Sequence, residues 1–291
     1  MGSAPIEQVA GLYHRRIGDV TVTALSDGYL DAPFEVLRDI EPADADSLLK
    51  GAYRPSPPRI SVNCFLIQTG ERVGLVDTGS GETMGPTLGR LPGLLARMDL
   101  TLADVDTVLL THMHPDHSNG LTAEDGTALF PNAELVVSEQ EIGHWYDDAA
   151  MARATESQKT RYFGWGRFQT GPYRDRVRHA AGEVLPNVTA VPLAGHTPGH
   201  TGYQVASGDD ALLIWGDIVH VPDIQSRHPE VTMVFDSDPE QAVATRRRMF
   251  DMAASDGLLV AGMHVHYPAF AHVVRRGDAY ALEPEVWAFT M

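Results

Sequence analysis

Residues 111–117 read Thr-His-Met-His-Pro-Asp-His, and this heptapeptide constrains the chain more than any other feature of its sequence. It places three imidazoles and one carboxylate within six positions, at His112, His114, Asp116 and His117. Imidazole and carboxylate are ligands of Zn²⁺, Mn²⁺, Fe²⁺ and Co²⁺, whereas buried histidines without a metal would each need a hydrogen-bond partner. The heptapeptide therefore predicts a metal site in a tight loop.

The length of the chain favours a catalytic rather than a structural role for this metal. With 291 residues and no linker, repeat or low-complexity tract, the sequence predicts a single domain over residues 1–291, with residues 1–18 as an N-terminal extension. A chain of this size buries about three quarters of its unfolded surface. Its core therefore needs no metal to hold it together.

Charge and hydropathy limit the partners and the compartment. Asp+Glu number 39 against 22 Lys+Arg, so the formal net charge is −17, and such a field repels phosphate backbones and anionic lipids. We expect neither nucleic acid nor a membrane as a partner. No apolar stretch approaches the roughly 18 residues of a membrane span. A soluble protein is expected, with the cytoplasm favoured and the periplasm or secretion open if a signal peptide has been removed.

Strand-like and helical segments alternate along the chain. Short β-branched or aliphatic runs predict strands at 20–25, 62–68, 73–76, 107–110, 134–137, 188–193, 203–206, 211–215 and 258–260. The clearest helix begins after Asp238 with Pro239 in its first turn, and Gly257 ends it. This order of elements predicts a layered α/β fold.

Polar clusters follow five of the predicted strands directly. They are Asp77-Thr78-Gly79, the heptapeptide itself, Gly195-His196-Thr197-Pro198-Gly199-His200, Gly216-Asp217 and Gly262-Met263-His264. Rigid strands position the loops that carry chemistry, so the five clusters are expected to form one functional rim.

Side-chain alternation in an extended loop would send His112 and His114 to one side, where both could bind one metal. Asp116 and His117, beyond Pro115, would point away and could serve a second metal. Each metal still needs further ligands. The later strand-end candidates are His196, Asp217 and His264.

Together these motifs closely resemble the metallo-β-lactamase superfamily of hydrolases, from about Asp19 to about Pro284. The resemblance implies an αββα sandwich, in which two mixed β-sheets lie face to face with helices outside. It also implies a binuclear metal centre. His112, His114 and His196 would bind the first ion, Asp116, His117 and His264 the second, and Asp217 would bridge them.

Three further side chains have alternative interpretations. His200 is expected to pack behind the metals, because both ligand sets are already full. His264 is preferred to His266 as a ligand, because it directly follows the small residues after its strand. Asp77 is expected to orient imidazoles through hydrogen bonds rather than to bind metal.

The predicted reaction is hydrolysis with two divalent cations as cofactors, with Zn²⁺ favoured and Mn²⁺, Co²⁺ or Fe²⁺ open. The sequence has no Gly-x-Ser-x-Gly elbow, and the single cysteine, Cys64, lies in an apolar strand. We therefore expect direct attack by a hydroxide that bridges the ions, without a covalent intermediate. We expect Asp116, Asp217 and His220 to be the catalytic residues, with Asp116 passing a proton to the leaving group.

The substrate class depends on a finer resemblance. The stretches 215–220, 235–239 and 244–247 resemble the branch that contains methyl parathion hydrolase and its lactonase relatives. By this resemblance, His220 and Phe235 face the substrate. His220 could donate a hydrogen bond to an ester oxygen, and Trp145 and Phe163 could complete an aromatic pocket.

We therefore expect a small-molecule partner, a lactone or aryl ester similar to dihydrocoumarin, with promiscuous phosphotriesterase activity and a possible homodimer. Three alternatives stay open: a methyl parathion-type phosphotriesterase, an N-acyl homoserine lactonase, and a mononuclear iron dioxygenase. The complete second ligand set disfavours the dioxygenase.

Overall fold

Two seven-stranded mixed β-sheets form the centre of the fold in the computed structural model, which describes residues 8, 9 and 11–291. The strands are β1 (Leu12–Ile17), β2 (Val20–Asp31), β3 (Leu37–Arg38), β4 (Arg59–Thr69), β5 (Arg72–Val76), β6 (Thr107–Leu109), β7 (Glu134–Val137), β8 (Val177–His179), β9 (Glu183–Leu185), β10 (Val188–Pro192), β11 (Thr201–Ser207), β12 (Asp210–Ile214), β13 (Thr232–Met233), β14 (Leu259–Ala261), β15 (Phe270–Arg276) and β16 (Ala279–Pro284).

The first sheet has the order β1-β2-β4-β5-β6-β7-β8, and the second has the order β16-β15-β14-β12-β11-β10-β9. Strands β5 to β8 run parallel to one another, as do β12 and β14, whereas the other neighbours in the two sheets are antiparallel. Strands β3 and β13 pair separately in a small two-stranded sheet.

Short helices connect the strands, and one long helix precedes β14. They are α1 (Pro42–Gly51), α2 (Leu91–Ala96), α3 (Pro115–Ser118), α4 (Glu139–Trp145), α5 (Asp148–Arg153), α6 (Glu156–Gln158), α7 (Trp165–Thr170), α8 (Pro222–Gln225) and α9 (Pro239–Asp256). A π-helical turn spans Lys159–Gly164, and 3₁₀ turns span Phe34–Val36, Leu102–Asp104 and Gly171–Arg176. Within the described residues, none of these helices has the length and hydropathy that a membrane crossing requires.

Alternating side chains on β4 show why the sheets form layers. Phe65 and Ile67 belong to the core shared with the second sheet, whereas Cys64 and Leu66 pack with α2 and α4 on the other face. Both faces of this strand are therefore buried, which explains its nearly continuous apolar sequence. Helix α9 packs against the second sheet, and the predicted αββα sandwich is confirmed.

All nine predicted strands are present, and three of them end one residue earlier than the sequence suggested. The sequence did not reveal β1, β3, β8, β9, β13, β15 or β16. Strands β3, β8, β9 and β13 have only two or three residues, and β1 and β16 lie at sheet edges. In β15, exposed His272, Arg275 and Arg276 interrupt the apolar pattern. Residues 12–17 of the expected N-terminal extension form edge strand β1, whereas residues 1–7 and 10 of that extension lie outside the described residues.

Helix α9 has the ends that its sequence predicts. The Asp238 side chain accepts a hydrogen bond from the backbone N–H of Gln241, which satisfies one of the free donors of the first turn. At the other end, Gly257 adopts a left-handed conformation with φ of 62°. This conformation closes the helix and turns the chain toward β14.

We predict that Gly257→Ala lowers the free energy of unfolding by about 1 kcal/mol, because an L-residue is strained in the left-handed region. A Cβ at Gly257 would meet no atom within 4 Å, so backbone strain is the only cost. The control is Gly51→Ala, which also meets no atom but has no positive φ. Urea unfolding should show stability unchanged or raised by up to about 1 kcal/mol for the control. Equal effects in the two variants would contradict this explanation.

Candidate metal centre

The five polar clusters meet at one edge of the sandwich, as the sequence predicted. Asp77 follows β5 and the 111–117 loop follows β6, both in the first sheet. The second sheet contributes His196 after β10, Asp217 after β12 and His264 after β14. Because both sheets supply side chains, the centre forms only when the two layers are packed together.

Three buried imidazoles converge at a first position. His114 Nδ1 lies 2.9 Å from His196 Nε2, and His196 Nε2 lies 3.2 Å from His112 Nε2. The ligand atoms of these three side chains all lie within 4.8 Å of one another. The Nε2 of His196 can carry only one proton, so it cannot donate a hydrogen bond to both neighbouring nitrogens. The lone pairs of three neutral imidazoles can instead bind one cation.

A second group lies beside the first and contains Asp116, His117 and His264. Asp116 Oδ2 lies 3.6 Å from His117 Nε2 and 3.5 Å from His264 Nε2. Both imidazoles are buried, whereas the Asp116 side chain is 17% exposed. Asp116 is thus a carboxylate of the cluster that solvent can reach.

Asp217 lies between the two groups. Its Oδ2 is 3.2 Å from Nε2 of both His117 and His264, 3.4 Å from His196 Nε2 and 3.6 Å from His112 Nε2. Its Oδ1 is buried and has no hydrogen-bond partner among the described residues, and the same holds for His117 Nε2. Unpaired buried polar atoms raise the free energy of the folded state, and bound cations would pair them. This donor set therefore fits two divalent cations.

Electrostatics leave His112, His114 and Asp217 ready to bind a cation. Burial lowers the pKa of His112 and His114 well below the ordinary range, so both rings are neutral with free lone pairs. Burial alone would raise the pKa of Asp217. The surrounding imidazoles, His117 foremost, hold that pKa well below its usual range instead, and the carboxylate is ionised.

Hydrogen bonds behind the cluster orient its rings. Asp77 Oδ2 lies 2.7 Å from His117 Nδ1, and the same carboxylate accepts hydrogen bonds from the backbone and hydroxyl of Thr111, which confirms the expected role of Asp77. Asp236 Oδ1 lies 2.7 Å from His196 Nδ1. Such partners fix the ring orientation and raise ligand basicity. No sequence pattern assigned a role to Asp236, although it directly follows Phe235.

His200 and His266 both lie outside the ligand groups. His200 Nε2 accepts a hydrogen bond from the backbone of Asp217 at 2.9 Å, and burial lowers the pKa of His200 to about 3. Gly216 permits this contact, because a Cβ there would lie 2.2 Å from His200 Nε2. His266 Nε2 instead pairs with Asp223 Oδ2 at 2.5 Å. His264 is therefore the histidine of this segment that joins the cluster.

Aromatic rings flank the cluster. Phe235 is half-buried, and its ring centroid lies 5.1 Å from that of His220. Trp145 and Phe163 are only 3% and 4% exposed and belong to the core behind the first sheet, and the Trp145 ring centroid lies 5.6 Å from that of His114.

Half-buried Tyr162 also lies against His114, with the ring centroids 4.9 Å apart. The π-helical turn places this ring, and no sequence signal identified it.

Comparisons with known proteins agree with this geometry. The family model of the metallo-beta-lactamase superfamily matches residues 57–264. The uncharacterized protein YobT of Bacillus subtilis (strain 168) is 28% identical over 162 residues, or 55% of this chain and 63% of YobT. The match thus spans less than two thirds of that relative.

Two solved structures match nearly the whole chain. The hydrolase AbOPH of the beta lactamase superfamily is 32% identical with a TM-score of 0.90, covering 97% of this chain and all of AbOPH. The dizinc quorum-quenching lactonase AidC has the same TM-score and the same coverage at 21% identity, which concerns the fold. With more than half of its residues matched by the family model and with its His/Asp cluster at the edge of an αββα sandwich, the chain belongs to the metallo-beta-lactamase superfamily of metal-dependent hydrolases.

Proposed function

We propose that this protein is a binuclear hydrolase that opens lactones or aryl esters, with a weaker activity on phosphotriesters. One observation supports this substrate class: the buried imidazole of His220 lies next to the half-buried ring of Phe235, beside the cluster. A flat aromatic ester could lie against such a ring while its carbonyl oxygen faces the imidazole. The resemblance of these segments to the lactonase relatives of methyl parathion hydrolase supports the same choice.

The ligand assignment follows the two groups and the bridging carboxylate. His112, His114 and His196 would hold the first ion, Asp116, His117 and His264 the second, and Asp217 both. These nitrogen and oxygen donors suit zinc, and the dizinc centre of AidC supports that choice. Mn²⁺, Co²⁺ and Fe²⁺ accept the same donors.

Two divalent ions in these positions would supply an activated water at neutral pH and a positive charge that polarises the scissile carbonyl. Asp217 would hold the ions at a fixed spacing. Asp116 is the partly exposed carboxylate, so it can carry a proton between the cluster and a leaving alkoxide.

His220 would act as a neutral hydrogen-bond donor. Burial lowers its pKa to about 4, so near neutral pH one ring nitrogen carries a proton while the ring has no charge. Among the described residues, neither ring nitrogen makes a well-aligned hydrogen bond, although Nε2 lies 3.0 Å from Asp217 Oδ2. A donor without a committed partner can turn to the oxygen on which charge develops.

Two rival substrates share the same metal chemistry. A phosphotriester would use the same ions, and the resemblance to methyl parathion hydrolase keeps this alternative in view. An N-acyl homoserine lactone is the second rival, because AidC, which shares the whole fold, is a quorum-quenching lactonase. A mononuclear iron dioxygenase is disfavoured, because the second group of donors is complete.

The binuclear proposal predicts two metal equivalents per chain, measurable by elemental analysis after dialysis. Asp217→Asn should lose at least one equivalent, because the carboxylate lies between both groups. We expect its kcat/KM to fall by at least about 100-fold, since even partners behind a ligand cost 10- to 100-fold in metal affinity or activity. An Asp217→Asn protein that kept both ions and full activity would refute the bridging role.

The substrate proposal predicts that the zinc-loaded protein cleaves dihydrocoumarin faster than methyl paraoxon or N-hexanoyl-homoserine lactone by at least about 100-fold in kcat/KM, the effect of a well-placed oxyanion donor. A preference for methyl paraoxon would replace the proposal with the phosphotriesterase alternative. A preference for the acyl lactone would replace it with the homoserine lactonase.

The role of His220 predicts that His220→Leu lowers dihydrocoumarin turnover by about 10- to 100-fold, because the hydrogen-bond donor is lost. The same change should spare or raise methyl paraoxon turnover, because leucine makes this side of the pocket apolar. His272→Leu is the matched control, since this histidine is exposed on β15. It should change neither rate. Equal losses of both activities in His220→Leu would show a structural role instead.

A further inference from the structure

Glu141 of α4 is a fully buried carboxylate that contacts two separate loops of the metal centre. Its Oε1 accepts hydrogen bonds from the backbone N–H of Met113 at 2.9 Å and from Trp145 Nε1 at 2.6 Å. Its Oε2 accepts from Thr197 Oγ1 at 2.7 Å and from the backbone N–H of Gly199 at 3.0 Å. Hydrogen bonds to a carboxylate are about twice as strong as those between neutral groups. These contacts therefore hold both loops against Glu141.

The two oxygens connect the loops that supply the first ligand group. Met113 lies between His112 and His114, and Thr197 directly follows His196. One loop leaves the first sheet after β6, and the other leaves the second sheet after β10. The carboxylate thus spans both layers at the edge where the three imidazoles meet.

Close packing supports the same connection. A Cβ at Gly199 would lie 2.2 Å from the backbone N of Glu141, so this loop rests directly on the start of α4. Among the described residues, Glu141 makes no hydrogen bond to the His264 loop of the second ligand group. His264 Nδ1 instead lies 2.7 Å from the backbone oxygen of Ser61 on β4.

We propose that Glu141 is a positioning residue that sets the spacing between the 111–117 and 195–200 loops, and thereby the affinity of the first metal position. The inference rests on the proposed binuclear centre. It predicts an unequal effect: loss of the tie weakens the group of His112, His114 and His196 more than the group that includes His264.

Glu141→Gln is the sharpest perturbation, because it keeps the size of the side chain. The carboxylate accepts from four donors, whereas an amide has one oxygen and an NH₂ group that cannot accept. Either orientation of the amide therefore sets its NH₂ group against a backbone N–H, of Met113 or of Gly199, and separates the loops. Thr197→Val is a milder companion that removes only the hydroxyl contact to Oε2.

The experiment measures Zn²⁺ dissociation constants of the metal-free full chain by competition with a chromophoric chelator. His264→Ala isolates the first position, and His196→Ala isolates the second. Adding Glu141→Gln should raise the dissociation constant by roughly 10-fold or more in the first background and by less than about threefold in the second. Thr197→Val should act in the same direction with a smaller change, and it serves if Glu141→Gln does not fold.

Asp27→Asn is the matched control. Asp27 is also a buried carboxylate, and it accepts hydrogen bonds from four backbone N–H groups, all in the 80–91 segment. It should lower the urea midpoint but leave both dissociation constants within about threefold. Equal losses in the two Glu141→Gln backgrounds, or none, would overturn the role of Glu141. A wild-type chain that takes up fewer than two Zn²⁺ would contradict the binuclear centre itself.

Discussion

Buried ligand atoms without enough protons to pair them are the constraint on which this structure depends. Nδ1 of His114 and Nε2 of His112 both face Nε2 of His196, and Asp217 brings a carboxylate into the same space. Such a cluster would be costly in a folded core unless positive charge is shared among its donors. A pair of divalent cations would supply that charge. The two packed sheets hold these donors together.

The ligands are held in place because most of them directly follow the ends of strands. Parallel strands β5 and β6 bring Asp77 and the 111–117 loop to one edge, and β12 and β14 bring Asp217 and His264 to the facing edge. Asp77 and Asp236 accept hydrogen bonds that orient individual rings, and the contacts of Glu141 connect loops from the two sheets. Rigid elements and outer contacts together hold a metal site to the tolerance that its chemistry needs.

In the proposed function, substrate choice depends on a different set of side chains. His220 follows β12, Phe235 follows β13, and Tyr162 lies in the π-helical turn. None of the three belongs to the motifs that identify the family. These three side chains can therefore differ between proteins while the metal ligands stay the same, which is how one fold accommodates many substrates.

The sequence by itself determined the nine central strands, the ends of α9, and the side chains that cluster at the metal centre. These features have local causes: apolar runs, capping residues, and His and Asp placed directly after strands. Only the tertiary structure decided that Trp145 and Phe163 lie in the core, that Tyr162 lies against His114, and that Asp236 and Glu141 support the centre. Those contacts join residues distant in sequence, and no local pattern encodes them, because they arise when two sheets and an irregular helical segment pack together.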